Sequence, residues 1–384
     1  MRILLAPDKF KDALDAPAVC DALAAGVAEA LPAATIERCP MADGGEGSGR
    51  ILAAALGACE HTARVLDAIG RERAARWWFA PQQDKTAIVE LAEASGLYLL
   101  EPRQRRAAQT TSYGTGQLLA AAAAAGARRA LLCVGGSATV DGGAGCLQAL
   151  GWELLDEAGR PLELPMCGGR LELVRSLRPP PTRLELDIEV LCDVSNPLTG
   201  PDGAAHVFGP QKGADPQEIE KLARALDSWA VVLERTTGQD VRTLSGAGAA
   251  GGVPAALAAA TGARLTPGID RIADLLKLDA RLAHCDLCLT GEGRLDDQTF
   301  AGKVVAGVTR HAAAADVPVV AFVGALRTTA GQDRHAAAYA LGLRDIVVIT
   351  PDDTPLEAAL AQTEPNLRAA AERYLRRTFG DLGV

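Results

Sequence analysis

Aromatic side chains are scarce in this chain of 384 residues: Phe, Trp and Tyr together make up 4 %. Any core must therefore be filled by Ala, Leu and Val, and a hydrophobic content of 48 % is enough to build one. Long apolar runs are missing. One uncharged run, Leu118 to Ala127, meets Arg128 and Arg129 well short of the roughly twenty residues a membrane span requires. Positive charge is also thin. The net charge is −9, and the densest basic run, Arg103-Gln104-Arg105-Arg106, reads as a solvated loop. Neither a membrane nor a nucleic acid is an expected partner. Arg2 to Ala6 is apolar but stops at Pro7-Asp8-Lys9, too short for the apolar region of a secretion signal. The nine cysteines are odd in number and follow no spacing pattern, which suits reduced thiols and a cytoplasmic location. Cys285-Asp286-Leu287-Cys288 matches C-x-x-C, but on a strand its two side chains point to opposite faces. The five histidines are dispersed, and no pair has zinc-like spacing.

Glycine is what the chain has in quantity, with 40 residues. That suits many strand-to-helix turns. Arg2 to Ala6 reads as a first strand. A helix from Ala18 to Leu31 follows, with Asp15 as N-cap and Pro17 in its first turn. Thr35 to Pro40 is a short strand, and a helix from Gly49 to Leu56 offers its N-terminus as an anion site. Arg64 to Phe79 and Lys85 to Glu90 alternate like hairpin strands. Helices are expected over 113–126, 144–150, 217–236 and 302–315. Buried strands are expected over 130–134, 189–192, 287–290, 318–323 and 345–349. This alternation predicts an α/β fold with parallel sheet. The length suggests two domains. The expected parsing is a discontinuous Rossmann-like domain, 1–70 plus 285–384, with a second α/β domain, 71–284, inserted.

Four stretches carry the chemistry. Leu287-Cys288-Leu289-Thr290 reads as a strand, and Gly291, Glu292, Gly293, Asp296 and Lys303 follow as its loop. At the carboxyl end of a parallel strand such a loop faces the ligand crevice. Glycines admit a phosphate, carboxylates hold Mg²⁺, and Lys offsets phosphate charge. Lys303 lies in the first turn of a helix, where its charge opposes the dipole unless an anion binds. The second stretch is Asp43-Gly44-Gly45-Glu46, either an acidic tight turn or two carboxylates aimed at Mg²⁺ or a substrate hydroxyl. The third, Gly135 to Gly145, carries Ser137 and Thr139, which are either helix caps or hydroxyl donors to phosphate. The fourth runs from Asp193, a Mg²⁺ ligand or the base for an attacking hydroxyl, through Asn196 to Lys212. Asp8, at the end of the first strand, shares the crevice argument. Lys11 and Lys212, each taken alone, read as surface lysines, and in company as phosphate or carboxylate binders. No Walker A motif exists: Gly302-Lys303 is followed by Val304, and Asp297 stands where a glycine is needed. Gly246-Ala247-Gly248-Ala249-Ala250-Gly251 does satisfy G-x-G-x-x-G, which supports a rival reading as a nicotinamide-dependent dehydrogenase. The preceding segment, Asp240 to Ser245, makes a poor strand for that motif.

Together with Ala6-Pro7-Asp8-Lys9-Phe10-Lys11, these motifs resemble, in order, the bacterial glycerate kinase family of the first type, from Arg2 to about Pro351. One departure is Val140, where members of that family usually carry Asn, so any base or phosphate contact of that side chain is missing. The resemblance implies two unlike α/β domains, one Rossmann/flavodoxin-like, with the active site in a cleft between them. It implies ATP and Mg²⁺ as co-substrate and cofactor, and D-glycerate phosphorylated at the 2-hydroxyl, with the 3-hydroxyl as the alternative. Asp193 or, second, Asp43 would orient or deprotonate the hydroxyl, with Lys303 as the third catalytic group. Glu292 and Asp296 would hold the metal. Asp8, Lys11, Gly44, Gly45, Glu46, Ser137, Thr139, Asn196, Lys212, Gly291 and Gly293 would bind substrate and nucleotide. Whether the chain forms a homo-oligomer stays open.

Overall fold

The computed structural model describes residues 1–295, 304–326, 339–340, 342–351 and 353–380. Thirteen strands run in chain order among them: β1 (Arg2–Leu5), β2 (Thr35–Arg38), β3 (Cys59–Leu66), β4 (Glu72–Ala80), β5 (Thr86–Glu90), β6 (Arg129–Cys133), β7 (Glu153–Leu155), β8 (Ser176–Arg178), β9 (Asp187–Leu191), β10 (Arg264–Thr266), β11 (Leu287–Leu295), β12 (Val319–Leu326) and β13 (Asp345–Val348). They belong to two compact units, Met1–Asp43 with Ile269–Val384, and Gly44–Gly268.

The first unit holds a five-stranded sheet, parallel throughout, in the order β13-β12-β11-β1-β2. Ile3, Leu5, Leu287, Leu289, Val320 and Phe322 join one core with helices Ala16–Ala30 and Thr363–Phe379. The alternating residues Leu4, Cys288, Val319 and Ala321 are equally buried, and helix Val304–Ala314 packs on β11 and β12. Burial on both faces is why these strands read as unbroken apolar runs. The first helix starts as its sequence dictates, with the Asp15 carboxylate accepting from the Ala18 amide and Pro17 in the first turn. Successive strands are added outward from the β1–β11 pair in both directions. That pair is therefore the place where the winding of the sheet reverses.

One strand is longer than its sequence suggests. The expected strand ends at Thr290, but pairing with β12 continues from Gly291↔Phe322 to Leu295↔Leu326. Gly291, Glu292 and Gly293 therefore sit in the sheet, not in a loop. A Cβ on Gly291 would come within 2.3 Å of the Phe322 carbonyl oxygen, so close strand packing accounts for that glycine.

The second unit holds a six-stranded sheet, β10-β9-β6-β5-β4-β3. β5, β6, β9 and β10 are parallel, and β3 and β4 continue the sheet as an antiparallel meander. The single run expected over 64–79 is broken by a turn in which Asp67 Oδ1 accepts from the amides of Ile69 and Arg71. Helix Ser48–Leu56 packs on β4 and β5, and β3 pairs with β4, so the residues from Gly44 onward belong to this unit. Helix Pro216–Thr237 is bounded by an Asp215/Glu218 capping box and by Gly238 in the left-handed region. No helix among the described residues is long and apolar enough to cross a membrane.

Candidate active site

In the first unit the chemistry gathers just past the end of β1, alongside the middle of β11. Their pairing continues past β1: Thr290 Oγ1 donates to the Ala6 carbonyl and the Asp8 amide donates to the Gly291 carbonyl, each at 2.8 Å. Asp8, just past β1, and Glu292, within β11, are thereby brought near each other, 7 % and 5 % exposed. Gly293 lies against backbone, since a Cβ there would stand 3.2 Å from the Lys11 nitrogen. The Met41 amide donates to the Pro7 carbonyl at 2.9 Å and anchors the segment leading to the half-buried Asp43. Burial pushes the Asp8 carboxyl well above the usual carboxylate range. The charges of Asp43 and, less strongly, Glu292 push it the same way, against Lys9, whose amide also donates to Asp8 Oδ1 at 2.7 Å. Three carboxylates thus sense one another at the strand pair where α/β sheets bind ligands. Lys11 is exposed. Asp296 and Lys303 lie outside the described residues. No group of three His, Cys, Asp or Glu among the described residues is arranged to hold a metal.

In the second unit the loops after β6 and β9 meet the Gly44–Gly47 turn. The Gly135 amide donates to the Gly44 carbonyl at 3.2 Å. A Cβ on Gly135 would fall 2.5 Å from the Gly45 Cα, and Gly44, at φ +75°, abuts the Leu191 carbonyl at the end of β9. Only glycine permits these approaches. Glu46 is exposed beside them. Asp193, half-buried, lies in the loop just beyond β9.

Several expected roles change here. Lys212 is not a surface lysine: it is 3 % exposed, and its Nζ donates to Ser137 Oγ at 2.7 Å and to the Thr139 carbonyl at 2.8 Å. Burial pulls its pKa down to about 7, against a weaker opposing effect of the Asp141 charge. Thr139 is not a phosphate donor in this arrangement, because its hydroxyl donates to the Ala250 carbonyl at 3.1 Å and ties two loops together. The Asn196 amide is likewise committed to its own loop, donating to the Asp202 carbonyl at 2.9 Å. At the start of helix Ser48–Leu56 the Gly49 amide donates to the Glu90 carboxylate, so the protein itself supplies an anion there. Val140 is fully buried in the core of this unit. The G-x-G-x-x-G stretch has no strand before it: residues 240–245 are irregular. Its glycines serve packing, since a Cβ on Gly248 would meet the Pro197 carbonyl at 2.1 Å and one on Gly251 the Thr139 carbonyl at 2.0 Å.

Asp141 is the residue that sequence reasoning passed over. Fully buried, its carboxylate accepts from the amide and hydroxyl of Ser112 at 2.7 Å each, and from the amides of Gly143 and Gly145. Burial raises its pKa against these donors. It holds the glycine loop in shape. The Asp-Gly-Gly spacing was the available signal, because an Asp before glycines commonly accepts from the amide two residues on.

The Glycerate kinase family model matches residues 3–378 of this chain. A glycerate kinase of Haemophilus influenzae is 38 % identical, the match covering 98 % of each chain. The glycerate 2-kinase of Escherichia coli K12 is 40 % identical over 86 % of this chain and 87 % of its own length. Among solved structures, a Salmonella typhimurium LT2 protein named for glycerate kinase 2 superposes with a TM-score of 0.82 at 38 % identity, and the match covers 100 % of both chains.

Proposed function

This chain belongs to the glycerate kinase family, and on that premise we propose that it transfers the γ-phosphoryl group of ATP to the 2-hydroxyl of D-glycerate, giving 2-phosphoglycerate and ADP. The family match across residues 3–378 carries the reading, and the name of the Escherichia coli relative supports the 2-position. We read the first unit as a Rossmann/flavodoxin-like domain and the second as an α/β domain inserted into it.

Phosphoryl transfer asks little covalent chemistry of a protein. It asks for in-line positioning and for charges that offset those developing on the phosphate oxygens. Asp193, at the end of β9, is assigned to orient or deprotonate the glycerate hydroxyl, with Asp43 as the second candidate. Ser137 and Lys212 offer buried donors to an anionic group. The close approach of Gly44 to the Leu191 carbonyl and of Gly135 to the Gly45 Cα fixes the shape of these loops, which would support substrate. Mg²⁺ fits the carboxylates of the first unit. Their oxygens are hard donors, and Asp43 and Glu292 raise the proton affinity of Asp8, as crowded carboxylates without a cation do. Mg²⁺ takes one or two carboxylates plus phosphate oxygens in preference to an all-protein cage, so no ready-made three-ligand cluster is required. Glu292 and Asp296 would hold it, and it would neutralise charge on the transferring group.

The test is ADP release coupled to a reporter, run across small hydroxy acids, with phosphorus NMR of the product. D-glycerate should be the preferred acceptor and the new resonance should be that of 2-phosphoglycerate. ADP release that ignores glycerate overturns the activity, and a 3-phosphoglycerate resonance overturns the regiochemistry alone.

A further inference from the structure

Lys212 is a buried amine with two hydrogen-bond acceptors, Ser137 Oγ and the Thr139 carbonyl. A neutral amine carries two N–H groups, so these acceptors take both of its hydrogens, whereas an ammonium has a third hydrogen to place. Among the described residues no carboxylate touches it, and the charge acting on it is that of Asp141, whose oxygens already accept from Ser112, Gly143 and Gly145. From the other elements it meets the Phe208 ring, 5.9 Å from Nζ to the centroid, while the next residue, Gly213, abuts the Arg105 backbone carbonyl. Ser137 receives a hydrogen from Lys212 and keeps one of its own to donate, with no acceptor for it among the described residues.

We propose that Lys212 and Ser137 form an anion site that charges itself on binding: an anionic oxygen accepts from the Ser137 hydroxyl and the third Lys212 hydrogen, and the lysine takes up a proton from solvent as the anion arrives. The proton adds to the Nζ lone pair, and no other bond changes. In the empty site the cost of burying an ammonium favours the neutral amine, which agrees with a pKa near 7. A bound anion supplies both the counter-charge and the missing acceptor, so the ammonium becomes the stable form. The anion is either the glycerate carboxylate or an ATP phosphate; that identification rests on the kinase reading, while the charging step does not.

Calorimetric titration of the full chain, in two buffers of different ionisation heat at pH 6 and pH 8, counts the protons. D-glycerate alone is one arm and a non-hydrolysable ATP analogue the other. With a free-site pKa of about 7, one arm should take up about 0.9 proton per ligand at pH 8 and about 0.1 at pH 6. The arm that does so identifies the anion. The analogue titrates itself, so its uptake is read as the difference from Lys212→Met, or Lys212→Gln should the first fail to fold. Ser137→Ala should weaken binding about tenfold in the same arm only. Equal proton counts at both pH values, or no binding in either arm, overturns the proposal. Turnover of ATP with glycerate but no proton uptake sinks this inference and spares the kinase reading. Proton uptake in either arm, lost in Lys212→Met, in a protein that never turns over does the reverse.

Discussion

Replacing Asp8 by Asn should make the protein more stable and less active, and the stability gain should depend on pH. Asp8 Oδ1 accepts from the Lys9 amide at 2.7 Å, and an Asn oxygen can keep that bond. What the substitution removes is a buried charge opposed by burial itself, by Asp43 and by Glu292. Like charges a few ångströms apart near a protein surface repel by about 1–4 kcal/mol, so a gain of about 1–3 kcal/mol is expected after the lost attraction to Lys9 is set against it. The sign follows from linkage. The folded-state pKa of Asp8 lies above its unfolded value of about 3.9, so the neutral form is the one the fold prefers. The ionised carboxylate therefore costs stability at pH 8. That cost shrinks as pH falls through the folded pKa and is gone below the unfolded one. Urea unfolding of wild type and Asp8→Asn at pH 8 and toward pH 4 measures this. The variant should lead at pH 8 and the two should converge in acid, while kcat/KM at pH 8 falls at least tenfold. A variant that is less stable at pH 8, or whose lead is the same at both pH values, would refute the electrostatic account and leave a packing effect.

Gly135→Ala should cost about 1–3 kcal/mol in urea unfolding and raise KM at least tenfold, because its Cβ would stand 2.5 Å from the Gly45 Cα and one loop must move; wild-type kinetics would show that the approach is not needed. Thr139→Val should lower stability by about 1–3 kcal/mol by leaving the Ala250 carbonyl unpaired. Its KM for ATP should stay within about twofold of wild type, and a tenfold rise at unchanged stability would return the hydroxyl to phosphate binding. Asp193→Asn should lower kcat by about a hundredfold or more while the melting curve is retained, as expected for loss of a general base; normal turnover would move that role to Asp43.

The sequence was most legible where one local signal was enough. The Asp15 cap with Pro17 sets the start of the first helix, and the runs at Leu287 and Val319 mark parallel strands because those strands are covered on both faces. It was less legible where a local signal served two purposes. Glycine marks loops in most contexts, and from sequence the Gly291-Glu292-Gly293 triplet therefore reads as a loop. In the fold, Gly291 is small because the Phe322 carbonyl lies where its Cβ would be, and the strand runs on to Leu295. The same ambiguity produced the dinucleotide reading of Gly246 to Gly251, whose glycines make room for the carbonyls of Pro197 and Thr139.

The polar residues of the second unit show what one-dimensional reading misses in principle. Ser137, Thr139 and Lys212 were all grouped as anion binders from their types. Their partners separate them: Thr139 spends its hydroxyl on Ala250, whereas Ser137 and Lys212 hold each other. Ala250 is 111 positions from Thr139 and Lys212 is 75 from Ser137, so neither pairing leaves a local trace. Burial changes the chemistry as well as the assignment. An exposed lysine would be charged at every pH at which the protein works, but Lys212, held by a hydroxyl and a carbonyl, has a pKa of about 7 and sits near its midpoint at neutral pH. At that midpoint a small change in surroundings moves the charge by a large fraction, and the arrival of an anion is such a change. A permanently charged ammonium at this depth would cost stability whenever the site stood empty. An amine that is about half protonated in the empty site at neutral pH and completes its protonation with an anion lessens that cost and still presents a full positive charge when a substrate is there to meet it.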